Sequence, residues 1–257
     1  HAAAKRSHSK NKFLNDGNGN LSGHVRIYFW NGSAWQQRGS DIDGEGYGDR
    51  SGVSVSISAD GDTLAIGANK NDGNGSNSGH VRIYNWNGSA WQQRGSDIDG
   101  ERSLDKSGMS VSMSSDGSKL AISARGNDGN GTNSGHVRVY SWNGSAWAQR
   151  GTDIDGEANS DHVGKSVSIS DDGNTLAIGG GHHVRVHTWN GSAWVKIGAD
   201  IDVAAAEVVS LSKDGSRVSI GASSSNNVTG MVQIYEWNGS AWVQQGSDIN
   251  GEATGDY

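Results

Sequence analysis

Three features of this sequence predict an all-β fold, a β-propeller of four-stranded blades. A block reading GHVRIYxWNGSAWQQRGSDIDGE recurs five times, starting at Gly23, Gly79, Gly135, His182 and Gly230. A second block, SVSISxDGxTLAIGA, lies between the copies four times, near Ser54, Ser110, Ser166 and Val209. The first two intervals are 56 residues and the later ones 47 and 48. A period this long means an array of supersecondary units, none able to bury its apolar face alone. Four-stranded units at this spacing point to a propeller, because straight β-solenoids have shorter repeats.

The elements follow in order. Residues 1–14 carry Lys5, Arg6, Lys10 and Lys12 and no acid, which reads as a basic, solvated N-terminal tail. The repeat domain runs over residues 15–257. Its first strand has Val25 and Ile27 on one face and His24, Arg26 and Tyr28 on the other. Asn31-Gly32 marks the reversal, since Asn-Gly is the strongest short hairpin signal. A loop of Asn31-Gly32-Ser33-Ala34 sets Trp30 opposite Trp35, a cross-strand pair worth roughly 0.2–1 kcal/mol.

The second block gives another hairpin. Val53 to Ser58 alternates branched apolar with small polar residues, the period of a strand with two unlike faces. Ala59-Asp60-Gly61-Asp62 supplies turn chemistry. Leu64 and Ile66 then share a bulky face, Ala65 and Gly67 a small one. Bulky against small lets such sheets stack closely. Asn71-Asp72-Gly73-Asn74-Gly75 and its copy from Asn127 read as an exposed connector. The segment is missing before His182 and altered to Ser223-Ser224-Ser225-Asn226-Asn227 later.

Five copies of one hairpin and four of the other give 18 strands, where five blades need 20. Gly251 to Tyr257 aligns with Gly44 to Arg50, and the first repeat resumes at Asn15. The equivalent of residues 51–70 is thus absent, and one blade is incomplete or closed by the N-terminal segment. Three readings account for it: a boundary within a longer array, completion of the last blade by residues 1–14, or strands donated by another chain to an unpaired edge.

Composition narrows the function. No apolar run is long enough to cross a bilayer, so no membrane insertion is expected, and residues 1–14 hold no secretory h-region. Cysteine is absent, which excludes disulfides, thiolate metal sites and Cys nucleophiles. The net charge is −7, and residues 15–257 alone stand at −11 once the four N-terminal cations are set aside. An acidic body argues against nucleic acid as a partner.

The stretch SGVSVSISADGDTLAIGA, followed by a glycine-rich loop and GHVRIY, resembles an FG-GAP-type repeat, the unit of the β-propeller heads of integrin α chains. The phrases GSDIDGE and NDGNGSNSGHVR are similar to tandem repeats in large surface proteins of marine bacteria and microalgae. Ser51-Gly52 and Ser107-Gly108 stand where the family carries Phe-Gly. The turns Asp60-Gly61-Asp62 and Asp116-Gly117-Ser118 are shorter than the calcium loop of integrin-type repeats. The resemblance covers residues 15–257. It implies an extracellular or cell-surface adhesion or structural module whose partners are other surface proteins, glycans or copies of itself.

Several repeated groups are candidate sites. Asp41, Asp43 and Glu45 place carboxylates at alternate positions around Gly44, which suits either calcium or an acidic corner capping turn amides. The pattern recurs at Asp97, Asp99, Glu101; at Asp153, Asp155, Glu157; and at Asp248, Asn250, Glu252. All ten tryptophans fall in the WNGSAW motifs: Trp30, Trp35, Trp86, Trp91, Trp142, Trp147, Trp189, Trp194, Trp237 and Trp242. They serve either as hairpin staples or as sugar-stacking platforms of a multivalent lectin. Glycosylation acceptors stand at Asn20, Asn31, Asn74, Asn87, Asn130, Asn143, Asn190, Asn227 and Asn238. His24, His80, His136 and His183 share one repeat position, where Met231 is the fifth member. No nucleophile turn or phosphate-binding glycine loop emerges, so the chain is expected not to be an enzyme. A third functional reading is a calcium-stabilised scaffold that assembles by strand sharing.

Overall fold

The computed structural model describes residues 18–203, 206–222 and 230–252, together with the backbone of residues 2–6. The fold is a β-propeller of five blades. The first blade holds β1 (Ala2–Arg6), β2 (His24–Trp30), β3 (Trp35–Gln37) and β4 (Ile42–Asp43). The second holds β5 (Ser54–Ile57), β6 (Thr63–Ala68), β7 (His80–Trp86), β8 (Trp91–Gln93) and β9 (Ile98–Asp99). The third holds β10 (Ser107–Met113), β11 (Lys119–Ala124), β12 (His136–Trp142), β13 (Trp147–Gln149) and β14 (Ile154–Asp155). The fourth holds β15 (Ser166–Ile169), β16 (Thr175–Gly180), β17 (His183–Trp189), β18 (Trp194–Lys196) and β19 (Ile201–Asp202). The fifth holds β20 (Ala206–Leu211), β21 (Arg217–Ala222), β22 (Met231–Trp237), β23 (Trp242–Gln244) and β24 (Ile249–Asn250).

The second to fifth blades are four-stranded antiparallel meanders with one further short strand, and the first blade has three meander strands with the same addition. β8 covers only Tyr84 to Trp86 of β7. The other end of β7 is therefore open, and β9 returns to it with His80 opposite Asp99 and Val81 opposite Ile98. The hairpin register is the expected one, and the five Trp–Trp pairs lie 5.5–5.7 Å apart between ring centroids.

The core lies between blades rather than within them. Ala65 of the second blade is buried with Val111, Met113, Leu120 and Ile122 of the third. Ala121 meets Val167, Ile169, Leu176 and Ile178 of the fourth, and Ala177 meets Val209, Val218 and Ile220 of the fifth. Small against bulky is thus the stacking rule. The serines of SVSIS join the blades as well. Backbone amides of Met113, Val167, Ile169, Val209 and Leu211 donate to Ser56, Ser110, Ser112, Ser166 and Ser168 Oγ at 2.9–3.1 Å.

Four blade junctions share one seat. The indole Nε1 of Trp91, Trp147, Trp194 and Trp242 donates to the carbonyl of Arg38, Arg94, Arg150 and Ile197 of the preceding blade, at 2.8–3.1 Å. The following residue is glycine at positive φ, and a Cβ on Gly39 would lie 2.8 Å from the Trp86 ring. Between the fifth blade and the first this seat is unmade among the described residues. Gly246 has nothing within 4 Å, and Trp30 and Trp35 are 46% and 53% exposed.

The first blade also corrects the reading of residues 1–14 wholly as a solvated tail. Ala2–Arg6 pair with β2 from Ala2 opposite Phe29 to Arg6 opposite Val25, the place that β6 takes beside β7. The altered connector Ser223–Asn227 lies outside the described residues.

Candidate functional site

The acidic corners are shaped by close backbone approach. A Cβ on Gly44 or Gly100 would sit 2.1 Å from the carbonyl oxygen of Ser22 or Ser78, so only glycine fits. The chain then turns across the junction. Buried Asp49 and Asp105 fix the corner by accepting the amides of Gly46 and of Glu101 and Arg102. Asn71 Nδ2 donates to Asp49 at 3.0 Å, and Asn127 Nδ2 to Asp105 at 3.3 Å. Asp72 to Asn74 and Asp128 to Asn130 are exposed, as expected of a connector, and only the first residue of each segment departs from that reading. Asn71 and Asn127 are buried, and each bolts its own blade to the preceding corner.

This turn sends the Glu45 carboxylate to the next blade, where it meets His80 and Asp97; Glu101 likewise meets His136 and Asp153. His80 Nδ1 lies 3.8 Å from Glu45 Oε2 and 3.5 Å from Asp97 Oδ2. His136 Nδ1 lies 4.0 Å from Glu101 Oε2 and 3.5 Å from Asp153 Oδ2. Both imidazoles are buried. Burial, set against the carboxylates nearby, pushes the His80 pKa down and that of His136 down to about 4. Both rings are therefore neutral at pH 7, with a lone pair to offer.

The alternating carboxylates of one corner do not converge on one point. Asp41 binds Arg26 Nε through both oxygens, at 2.9 and 2.8 Å. Asp43 offers its backbone oxygen to the next blade, where Arg82 Nη2 donates at 2.6 Å; Asp99 does the same for Arg138. Asp155 Oδ1 stands 4.0 Å from His136. Glu157 pairs with Arg185 at 3.1 Å. Asp248 accepts from Gln233 and Gln244, while Asn250 and Glu252 are exposed. The carboxylates of one corner thus go to separate partners, and the groups that do converge, Glu45 with His80 and Asp97 and Glu101 with His136 and Asp153, are drawn from two blades.

The tryptophans fill the junctions. Arg38, Arg94 and Arg150 stack over Trp86, Trp142 and Trp189 at 4.8, 4.6 and 4.5 Å. Trp91, Trp147, Trp194 and Trp242 are bonded across the same junctions, so these residues join blades besides pairing across their own hairpins. Trp237 packs above Gly198. Trp30 and Trp35 alone form a pair that no other blade covers among the described residues.

Asn31, Asn87, Asn143, Asn190 and Asn238 sit on exposed tips, each Oδ1 accepting the amides two and three residues ahead. Asn20 is exposed. Asn74 and Asn130 use Nδ2 to hold the Gly100 and Gly156 carbonyls, so a glycan there would break a bond. Asn227 lies outside the described residues. His24 and His183 are half-buried, and each keeps a buried Nε2 without a partner.

Residues 40–84 and 97–140 match the family model of the FG-GAP repeat. No curated protein matches the chain in sequence. A protein of unknown function from Desulfotomaculum acetoxidans has a similar structure, with a TM-score of 0.62, 12% identity, and coverage of 89% of this chain and 64% of that one. A periplasmic gluconolactonase of Pseudomonas aeruginosa gives 0.61, 16%, 91% and 65%. TolB from Acinetobacter baumannii gives 0.51, 12%, 90% and 51%. The chain spans between about half and two thirds of the length of these structures. Likeness at such identity shows the fold. The narrower resemblance to surface proteins of marine bacteria and microalgae rests on the sequence phrases alone. The expectation that the chain is not an enzyme is corrected, because this fold also carries a gluconolactonase. Regular repetition therefore does not exclude an active site.

Proposed function

We propose that this chain is an extracellular or cell-surface adhesion or structural module that binds through groups repeated from blade to blade. The row of five WNGSAW tips supports this reading. Each Asn closes its own turn, and Gly32, Gly88, Gly144, Gly191 and Gly239 have nothing within 4 Å. The same exposed chemistry is thus presented five times on a packed frame, and repeated weak contacts gain avidity without any new contact. Other surface proteins, glycans or further copies of the chain are the partners this display suits. A lectin reading is favoured by one observation, the open aromatic face of Trp30 and Trp35.

A glycan and matrix-protein array, run in calcium and in chelator beside an assay of gluconolactone hydrolysis, tests the proposal. Adhesion through the tips predicts surface retention that falls roughly tenfold or more when three tips are replaced and far less for one. Retention lost on Trp35→Ala alone would favour the lectin. Lactone turnover without retention on any surface would replace both readings with a hydrolase.

A further inference from the structure

The junctions around His80 and His136 carry more organisation than packing needs. In each, both carboxylates keep one oxygen for an orienting donor and turn the other to the imidazole. Asp97 Oδ1 accepts from Gln93 Nε2 at 2.5 Å, and Asp153 Oδ1 from Gln149 Nε2 at 2.6 Å. Glu45 Oε1 faces Arg82 Nη1 at 3.5 Å, and Glu101 Oε1 faces Arg138 Nη1 at 3.6 Å. In both sets one ligand atom from each of the three residues lies within 4.8 Å of the other two. His136 is only 1% exposed, and neither ring nitrogen has a hydrogen-bond partner. A buried polar group left unpaired costs free energy, so at His136 an aimed, unpartnered Nδ1 beside two held carboxylates asks for a ligand, and the second blade repeats the same three residue types around the equally buried His80.

We propose that each of these two junctions binds a transition-metal dication of the zinc class, which bridges successive blades. One imidazole nitrogen and two carboxylates suit zinc and its neighbours, whereas calcium takes six to eight oxygens. Tetrahedral zinc holds donors about 3.3 Å apart, close to the 3.5 Å separating Nδ1 from Asp97 and Asp153 Oδ2. Gln93, Gln149, Arg82 and Arg138 are the outer partners that aim the ligands. The next junction explains the limit to two. There Asp200 gives Oδ2 to Arg185 at 3.0 Å and Oδ1 to Lys196 at 2.7 Å, and Arg185 also takes Glu157. Cations already occupy the oxygens that an ion would need. In the fifth blade Met231 replaces the histidine.

Chelator-stripped protein is titrated with zinc chloride by calorimetry, and with cobalt(II) by visible absorbance. The expected result is one ion per cluster, two per chain, with cobalt absorption of a nitrogen–oxygen site. His80→Ala and His136→Ala each remove one ion, and the double variant removes both. Since these rings are buried, a milder Asp97→Asn/Asp153→Asn variant guards against misfolding. It should melt in chelator like the parent, yet bind zinc at least about tenfold more weakly. Asp41→Asn should leave binding unchanged. Zinc uptake that survives both double variants means an adventitious ion only and overturns the proposal. So does calcium taking the same two places with equal affinity, or no uptake at all.

Discussion

At His187 one blade departs from its copies, which carry Tyr28, Tyr84, Tyr140 and Tyr235 at the same position. The ring is buried, and its Nδ1 has no hydrogen-bond partner. Burial first, then the charges of Arg185 and Lys196, hold its pKa at about 4 against an ordinary 6.5. Below pH 6.5 the unfolded chain therefore binds a proton that the folded chain refuses. The stabilising term is complete above pH 6.5 and is lost as pH falls from there towards 4. About 2 kcal/mol of it should be gone by pH 5, an order-of-magnitude figure for a largely buried group. His187→Tyr restores the residue of the other blades and should flatten this part of the profile. Urea unfolding of both proteins at pH 7 and pH 5 checks it; equal losses in the two would refute the assignment. The sequence shows that His187 breaks the repeat. It does not show burial, which is set by the neighbouring strands.

At the scale of the element, the hairpins were legible and their uses were not. Asn31-Gly32 and the alternation of SVSIS specify turns, strands and faces locally, so register followed. β9 was invisible because two residues carry no period, and it forms only where β8 leaves half of β7 unpaired. The role of Asn71 was hidden because a deletable loop looks peripheral, and Asp72 to Asn74 are indeed exposed, yet Asn71 itself is a bolt on Asp49. The metal-type clusters were hidden for a related reason. Glu45, His80 and Asp97 come from three separate stretches, and only stacking of one blade on the next brings them together. The tryptophans show stacking as energy. Trp91→Phe deletes an indole bond of 2.8 Å to Arg38 inside a junction, and should cost about 1–2 kcal/mol. Trp35→Phe deletes no such bond among the described residues and should cost less than about 0.5 kcal/mol. Equal losses in chemical denaturation would mean that Trp35 also sits in a made junction.

For the whole molecule, the same contrast orders the blades by stability. The second, third and fourth blades are covered on both faces, whereas among the described residues the first and fifth each leave one face without the seat that joins the others. The exposure of equivalent residues follows: Ile98 and Ile201 are 8% and 5% exposed, and Ile249 is 59%. Val208 is exposed where Ser110 and Ser166, its equivalents, bind the next blade. In a repeat array stability is close to a sum of unit and nearest-neighbour terms, so a unit with one neighbour opens more readily than a unit with two. Amide exchange should therefore be slowest in β11, β12, β16 and β17, and faster in β22 and β23, although all belong to hydrogen-bonded sheets. Exchange measured at low and high protein concentration makes the test sharper. Protection that is uniform over the five blades at every concentration would show that the fifth blade meets the first within one chain. Protection of β22 and β23 that rises with concentration would show instead that the open faces cover each other between chains. The graded order at all concentrations is the outcome expected from four made junctions and one left unmade among the described residues.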